Sequence, residues 1–432
     1  MKASAERLTE WVWDARRRTL EVVEDLSDEE LRVPHIEIVN PFLWEIGHAA
    51  WFQEHWVLRH MGGNPPLLPG GDELYDSAEV HHDTRWDLLL PTREATLEYV
   101  SAVKEGVLSR LASGGLSEQD KYFNMLSVFH EDMHGEAFTY MRQTLGYTRP
   151  SLTGSDPEGA HGTSASRPEG DAEVPGGRLS LGASPDSGFS FDNEQWGHEV
   201  ILEPFGIART PVTQGEFADF VDDGGYAKRD LWCDEGWQWR EAASSHHPVY
   251  FRQMSDGSWQ RRLFDKEIPL EPERPVVHVN WYEADAYCRW AGRRLPTEAE
   301  WVAAAACEPA AGGDGLAPHR RRFPWGDAPP DTSRANLDAR AMDTVDVGAL
   351  PAGDSAFGCR QMVGNVWEWT ESVFGPFPGF EPGPYAAYSE PWFHTRRVLR
   401  GGAWATRSRL ANNDYRNFFP PDRRDVFAGF RT

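Results

Sequence analysis

Cysteine is scarce in this chain: Cys233, Cys288, Cys307 and Cys359 are the only four in 432 residues, far apart and without a CxxC pair. That spacing excludes a disulfide framework and a cysteine-built zinc site, and it fits a reducing, cytoplasmic setting. Cationic side chains are also in short supply, 43 Lys and Arg against 68 Asp and Glu, for a net charge of -25. So acidic a chain repels phosphate backbones and anionic lipid, which makes nucleic acid and membrane surfaces poor partners. No apolar run approaches the ~20 residues of a spanning helix. The opening stretch, MKASAERLTEWVWDARRR, breaks its apolar positions with charges, so no secretory signal is expected. Repeats of fixed period and coiled-coil heptads are absent as well.

Tryptophan, by contrast, is abundant at 19 residues, beside 40 Gly and 31 Pro. Concentrated after residue 180, this composition predicts an irregular, loop-rich region held by large aromatic side chains. The length implies more than one domain. Residues 4–32, 41–61, 92–112 and 117–145 carry apolar residues at three- and four-residue spacing, which predicts four amphipathic helices and hence a bundle. The second helix has Asn40 as its expected N-cap and Pro41 at its first position. Residues 151–178, rich in Gly, Ser, Pro and acids, read as a linker or long surface loop. Beyond it come short strand-like runs (HEVILEPFGIA, PVVHVNW, RVLRGGAW) and one amphipathic helix (WYEADAYCRWAG). The expected architecture is multidomain α and α+β: a helical bundle over 1–150, a linker over 151–178 and an α+β domain over 179–432.

The sharpest chemical signal is His130-Glu131-Asp132-Met133-His134, because residues four apart project from one helix face and can hold one metal ion. Read literally it is HExxH, the zinc-protease motif with Glu131 as base, but no third ligand follows at the required spacing. Glu131 would also point about 100° away from the ligand face. A third imidazole is available at His48 on the second helix, and bundle cores build metal sites from facing helices in this way. Three neutral nitrogens with open positions suit Zn(II) or Fe(II) equally. The bland alternative, a core His48 and a solvated pair, must bear the cost of burying an uncoordinated His cluster.

His55 and His60 are expected at the surface. His81, His82, Asp83 and Arg85 precede Trp86 in an interhelix segment that either lines a pocket or is solvated. GGY (224–226), GRRLPTEAEW (292–301), FPWGD (323–327), GNVWEW (364–369) and RGGAW (400–404) read as residues that fix backbone and fill a core. The run Tyr415 to Asp425 mixes an amide, aromatic rings and guanidinium groups, a combination suited to a zwitterionic ligand.

Together these motifs carry a resemblance. The N-terminal part resembles the DinB-like bundle, and the C-terminal part resembles the formylglycine-generating-enzyme fold, a C-type-lectin-like domain. The second likeness rests on FDNE (191–194), PVTQGEFADFV (211–221), GGY, RRLPTEAEW, FPWGD, GNVWEW, RGGAW and GFR (429–431). Their pairing resembles the iron(II)-dependent sulfoxide synthases of ergothioneine biosynthesis and, more closely, the selenoneine synthase branch. The resemblance implies Fe(II) held by His48, His130 and His134, and O2-dependent coupling of the imidazole C2 of hercynine to a selenium or sulfur donor. The product would be a selenoxide or sulfoxide. It further implies that Asn417 holds the betaine end of hercynine, with Phe418 where a Trp commonly lies. A tyrosine handles protons in relatives, and Tyr385, Tyr388 and Tyr415 are the candidates.

The departures from that pattern concern the donor. Phe419 stands where thiol-using relatives place an acid, and Met133 where they place a Gln. Of the arginines that hold the donor's carboxylates, only Arg85 remains in its segment, while Arg423 is retained at a donor-site position. An uncharged selenosugar is therefore the implied donor, with γ-glutamylcysteine or cysteine as the alternative. No cysteine follows Cys359, which excludes the copper and thiol chemistry of formylglycine-generating enzymes. The alternative of another class is a non-catalytic lectin-like module with structural zinc.

Overall fold

The computed structural model describes residues 3–159 and 166–432. It divides into two units, Met1–Thr153 and Gly154–Thr432. In the first, α1 (Ala5–Glu21), α3 (Phe42–Gln53), α5 (Arg93–Ala112) and α6 (Glu118–Leu145) form a bundle, and α2 (Asp28–Arg32) and α4 (Gly71–Tyr75) are single turns between them. Helix α1 packs on α5 and α6, and α3 packs on the same two helices. Ser4, Thr92 and Ser117 cap α1, α5 and α6, each accepting from an amide three residues on. Gly146, at φ 68°, supplies the left-handed stop of α6.

Two expected helices differ in detail. The stretch 4–32 is broken, because Ser27 and Glu30 form a reciprocal capping box that starts α2 afresh at Asp28. The stretch 41–61 begins at Phe42 with Pro41 in the N-cap position and no side-chain cap. Asn40 does not cap it; its Oδ1 accepts from Arg85 at 2.6 Å. From Glu54 to His60 the helix widens into π-helical turns. They start at a buried carboxylate that accepts from the Tyr99 hydroxyl and, at 2.6 Å, from the Leu67 amide.

The second unit is α+β. Strands β1 (Asp171–Val174) and β4 (Phe205–Ala208) pair antiparallel, as do β2 (Gly177–Leu181) and β3 (His198–Leu202). Residues 171–174 and 177–178, expected to end the linker, thus belong to sheets: side chains along both strands alternate exposed and buried, a period that the intervening Pro175 and Gly176 obscure. Part of the expected linker, residues 160–165, lies outside the described residues. Helices α7 (Gln214–Asp222) and α8 (Asp234–Ala242) precede a meander of β5 (Phe251–Gln253), β6 (Trp259–Leu263) and β7 (Lys266–Pro269). Then follow α9 (Trp281–Trp290) and α10 (Glu298–Ala306). The run PVVHVNW before α9 is buried but is no strand; it makes one bridge, Pro275 to Thr213, and His278 at φ 63° breaks its extension.

A four-stranded sheet in the order β10 (Asn417–Phe419), β9 (Arg397–Arg400), β8 (Trp367–Val373), β11 (Ala428–Gly429) completes the unit. Three of the expected backbone-fixing motifs, GRRLPTEAEW, GNVWEW and RGGAW, meet at it. Arg431 grips Glu368 of β8 at 2.6 and 2.7 Å, and the same carboxylate accepts from the Trp301 indole at 2.7 Å. Gly401 takes φ 96°, and a Cβ there would stand 2.6 Å from the Met362 carbonyl oxygen. Among the described residues no helix is long and apolar enough to cross a membrane.

Candidate functional site

Helix α3 carries His48 and helix α6 carries His130 and His134, and one ligand nitrogen from each lies within 4.8 Å of the others. Nε2 of His134 is 3.2 Å from Nε2 of His130. On two of the three rings the opposite nitrogen is occupied: Nδ1 of His134 is 2.7 Å from Glu45 Oε1, and Nδ1 of His48 is 2.7 Å from the Tyr75 carbonyl. Both acceptors demand an N–H on Nδ1, which leaves Nε2 bare and turned to the common point. Aromatic faces hold the rings, Trp44 stacking on His48 at 4.9 Å and Phe52 on His130 at 3.7 Å.

Local sequence explains the support of His48. The single turn α4 offers the Leu74 carbonyl to the Trp44 indole at 2.7 Å and the Tyr75 carbonyl to His48. It can lie this close because residue 47 is glycine: a Cβ there would meet the Tyr75 ring at 2.3 Å. Burial, and repulsion from the neighbouring imidazoles, hold His48 and His130 well below the ordinary imidazole value. Convergent nitrogens, two of them on fully buried rings and two on rings oriented from the far side, fit a three-imidazole metal centre with open positions. Zn(II) and Fe(II) share that donor set.

Glu45 escaped sequence reasoning, although it lies one helical turn before His48 on a buried stretch of α3. Glu45→Ala should weaken metal affinity about ten- to a hundredfold, since carboxylate partners of ligating imidazoles are worth that much. Chelator competition against the purified protein measures it, and unchanged affinity would remove Glu45 from the centre.

Glu131 turns away from the triad. Its carboxylate pairs with Arg16 of α1 at 2.9 Å and accepts from Thr19 of α1 at 2.9 Å, all three groups being buried. Glu131→Gln would leave the Arg16 guanidinium without its counter-charge, so the expected loss is stability, about 3 kcal/mol. Turnover per folded, metal-loaded molecule should stay within about tenfold. Thermal melting and metal content of the variant separate the two.

The other expected residues are placed as follows. His55 is half-buried, not at the surface, its ring 5.2 Å from Trp51 and 4.9 Å from Trp56. Met133 is half-buried beside His134 on α6. Arg85 is engaged within its own unit: it donates to Asn40 Oδ1 at 2.6 Å and to the Val80 carbonyl at 3.2 Å, and lies 3.8 Å over Trp44. Burial pushes its pKa down to about 10.

In the second unit, Asn417, Phe418 and Phe419 form strand β10. Phe418 stacks on Phe374 at 3.9 Å and meets the Tyr388 ring at 5.3 Å. Tyr385 stacks on Tyr388 at 5.6 Å, and Tyr415, itself buried, hydrogen-bonds to Tyr388. Burial first, and the Glu194 carboxyl second, hold the Tyr388 phenol well above its ordinary value. Arg423 is clasped by both oxygens of Asp425, at 2.6 and 2.7 Å, and lies 5.3 Å from the Phe419 ring centre.

Two family models match the chain: sulfatase-modifying factor enzyme 1-like domains over residues 159–432, and the DinB superfamily over residues 14–137. The chain is 39% identical to the hercynine oxygenase of Mycolicibacterium thermoresistibile, over 97% of this chain and 92% of that protein. It is likewise 39% identical to the hercynine oxygenase of Mycobacterium tuberculosis, over 99% and 98%. The formylglycine-generating enzyme of Streptomyces coelicolor, at 32% identity, covers 62% of this chain and 90% of its own length. Only a match of nearly full length accounts for the helical unit that carries the three histidines as well as the α+β unit, and on that ground the chain belongs to the hercynine oxygenase family.

Proposed function

We propose that this chain is a nonheme iron(II) oxidoreductase that uses O2 to join C2 of the hercynine imidazole to the chalcogen of an uncharged sugar. A selenosugar is the first choice of donor and a selenoxide the product; a thiosugar would give the sulfoxide. The carrying observation is the three-imidazole cluster, in a chain that aligns over nearly its whole length with proteins named hercynine oxygenase. Iron(II) held by His48, His130 and His134 would supply O2 activation and open positions that orient the chalcogen and the imidazole. We place the enzyme in the cytoplasm, where its four free cysteines stay reduced.

The chain's own residues bind, orient and move protons. Asn417 offers an amide to the betaine carboxylate, and the aromatic faces of Phe418 and its neighbours attract the quaternary ammonium. Tyr388 is protonated at neutral pH as any phenol is, and burial raises its pKa further, so it gives up its proton only where negative charge develops beside it; Tyr385 stacks on it and Tyr415 hydrogen-bonds to it.

Donor choice follows from charge. Arg85 is committed to Asn40, Val80 and Trp44, and Arg423 to Asp425, while Met133 and Phe419 add apolar surface. An uncharged donor needs no counter-ion from any of them. The ergothioneine-type alternative, γ-glutamylcysteine or cysteine, requires Arg423 to leave Asp425. One assay decides: anaerobic protein with Fe(II) and hercynine receives O2, and the coupled products of a selenosugar, a thiosugar, cysteine and γ-glutamylcysteine are compared by mass spectrometry. Tight, redox-silent zinc and no O2 consumption would instead support a non-catalytic module.

A further inference from the structure

The residues Asp192-Asn193-Glu194 bear on the proposed proton donor through their two carboxyls, which, after burial, raise the pKa of Tyr388, Glu194 more than Asp192. They fold as one turn of 3-10 helix, with exposures of 6%, 0% and 4%. Asp192 reaches a segment distant in sequence: Oδ1 accepts from the Ser389 hydroxyl, and Oδ2 accepts from the Gly383 amide at 3.1 Å. Nδ2 of Asn193 donates to the same Ser389 oxygen at 3.0 Å, so this buried hydroxyl is used as donor and acceptor at once. Gly383 and Ser389 bracket Tyr385 and Tyr388. The approach is close, for a Cβ on Gly383 would lie 3.3 Å from Cβ of Asp192.

On its other side the same turn holds the substrate strand. The Asn193 carbonyl accepts from Arg416, the residue before Asn417, and the remaining face of that guanidinium is fixed by Glu298 at 2.8 and 3.1 Å. The Phe191 ring, at the start of the turn, lies 4.9 Å from Tyr388 and 6.0 Å from Tyr415. The tyrosine segment has little regular structure of its own, only the single turns Ala386–Tyr388 and Glu390–Trp392. Side-chain anchors therefore set its position. A buried carboxylate is costly unless strongly hydrogen-bonded, and here both of its oxygens are given to the two ends of one loop.

We propose that Asp192 is a positioning residue of the reaction: through Ser389 and Gly383 it fixes where Tyr385 and Tyr388 stand relative to Asn417 and Phe418. This rests on the reading that the loop's tyrosines handle the proton, so the test needs one readout that is independent of turnover.

Full-length Asp192→Ala, Asp192→Asn, Ser389→Ala and the double variant Asp192→Ala/Ser389→Ala are compared with wild type by hydrogen exchange of the 383–389 amides. Iron content, and kcat and KM for hercynine, are measured on the same preparations. In Asp192→Ala, loop exchange should rise at least about tenfold and kcat fall about a hundredfold, the scale of losing two hydrogen bonds to a carboxylate. Iron content and hercynine KM should hardly move. Asp192→Asn, which keeps one acceptor oxygen, should fall between, and the double variant should be no worse than Asp192→Ala. Unchanged exchange in both Asp192 variants overturns the clamp, and freer exchange at full kcat overturns the positioning role. Should Asp192→Ala fail to fold, Asp192→Asn and Ser389→Ala carry the same comparison. If the wild-type chain couples no hercynine, the proposed reaction fails on its own, and the exchange result still decides whether Asp192 holds the loop.

Discussion

Alanine at His48, His130 or His134 is expected to leave a folded protein that neither retains iron nor couples hercynine. Tetrahedral protein sites bind their metal by about 10–16 kcal/mol over four ligands, so one ligand is worth about 3 kcal/mol, a hundredfold or more in affinity. With three imidazoles in the cluster, the loss of one leaves a two-ligand site that desalting should strip. Metal analysis after gel filtration reads iron per chain, and circular dichroism confirms the fold. The variants should fold, because the triad's neighbours are anchored independently: Trp44 to Leu74 and Glu131 to Arg16. Stoichiometric iron in any one variant would take that residue out of the centre.

The wild-type chain should prefer an uncharged selenosugar over γ-glutamylcysteine by about two orders of magnitude. Burying the dipeptide's charged ends unpaired costs several kcal/mol, and each ~1.4 kcal/mol is tenfold. The two arginines that could serve as counter-ions are engaged elsewhere, Arg423 most firmly through its two bonds to Asp425. Asp425→Asn should loosen Arg423 and raise γ-glutamylcysteine coupling about tenfold, and Phe419→Asp with Met133→Gln should erode the preference further. Competition between the two donors, read by mass spectrometry, gives the ratio directly. Equal rates in the wild type would mean that Arg423 swings from Asp425 to the donor, and the chain would then act as an ergothioneine enzyme.

Local rules were legible over much of the chain. The helices at 92–112 and 117–145 appear within a residue of the apolar period that predicts them. The break at Ser27 was equally legible, as a capping box, but a periodicity reading overlooks it because Leu20, Val23 and Leu26 keep a three-residue spacing right up to it. Strands β1 and β2 were hidden because strands this short offer two or three alternations, and the turn-forming run Pro175, Gly176, Gly177, which separates them and opens β2, outweighs those alternations in composition. PVVHVNW shows the reverse failure: an apolar β-branched run that is buried as irregular chain, its amides bonded to Val212 and Ala428 one at a time.

By itself the sequence determined that His130 and His134 share a helix face, that a bundle precedes an α+β domain, and that Glu131 points elsewhere, because each follows from a repeat of 3.6 residues or from composition over a window. Only the tertiary structure decided which side chains meet. Glu45 orients His134 from 89 positions away, and Asp192 holds Ser389 from 197 positions away. Arg85 and Arg423 look in sequence like free cations for a substrate, and folding gives each of them a partner within the chain. The physical reason is that a charge or a hydrogen-bonding group takes its role from whatever packing places within about 3 Å of it, and no local period encodes that neighbour.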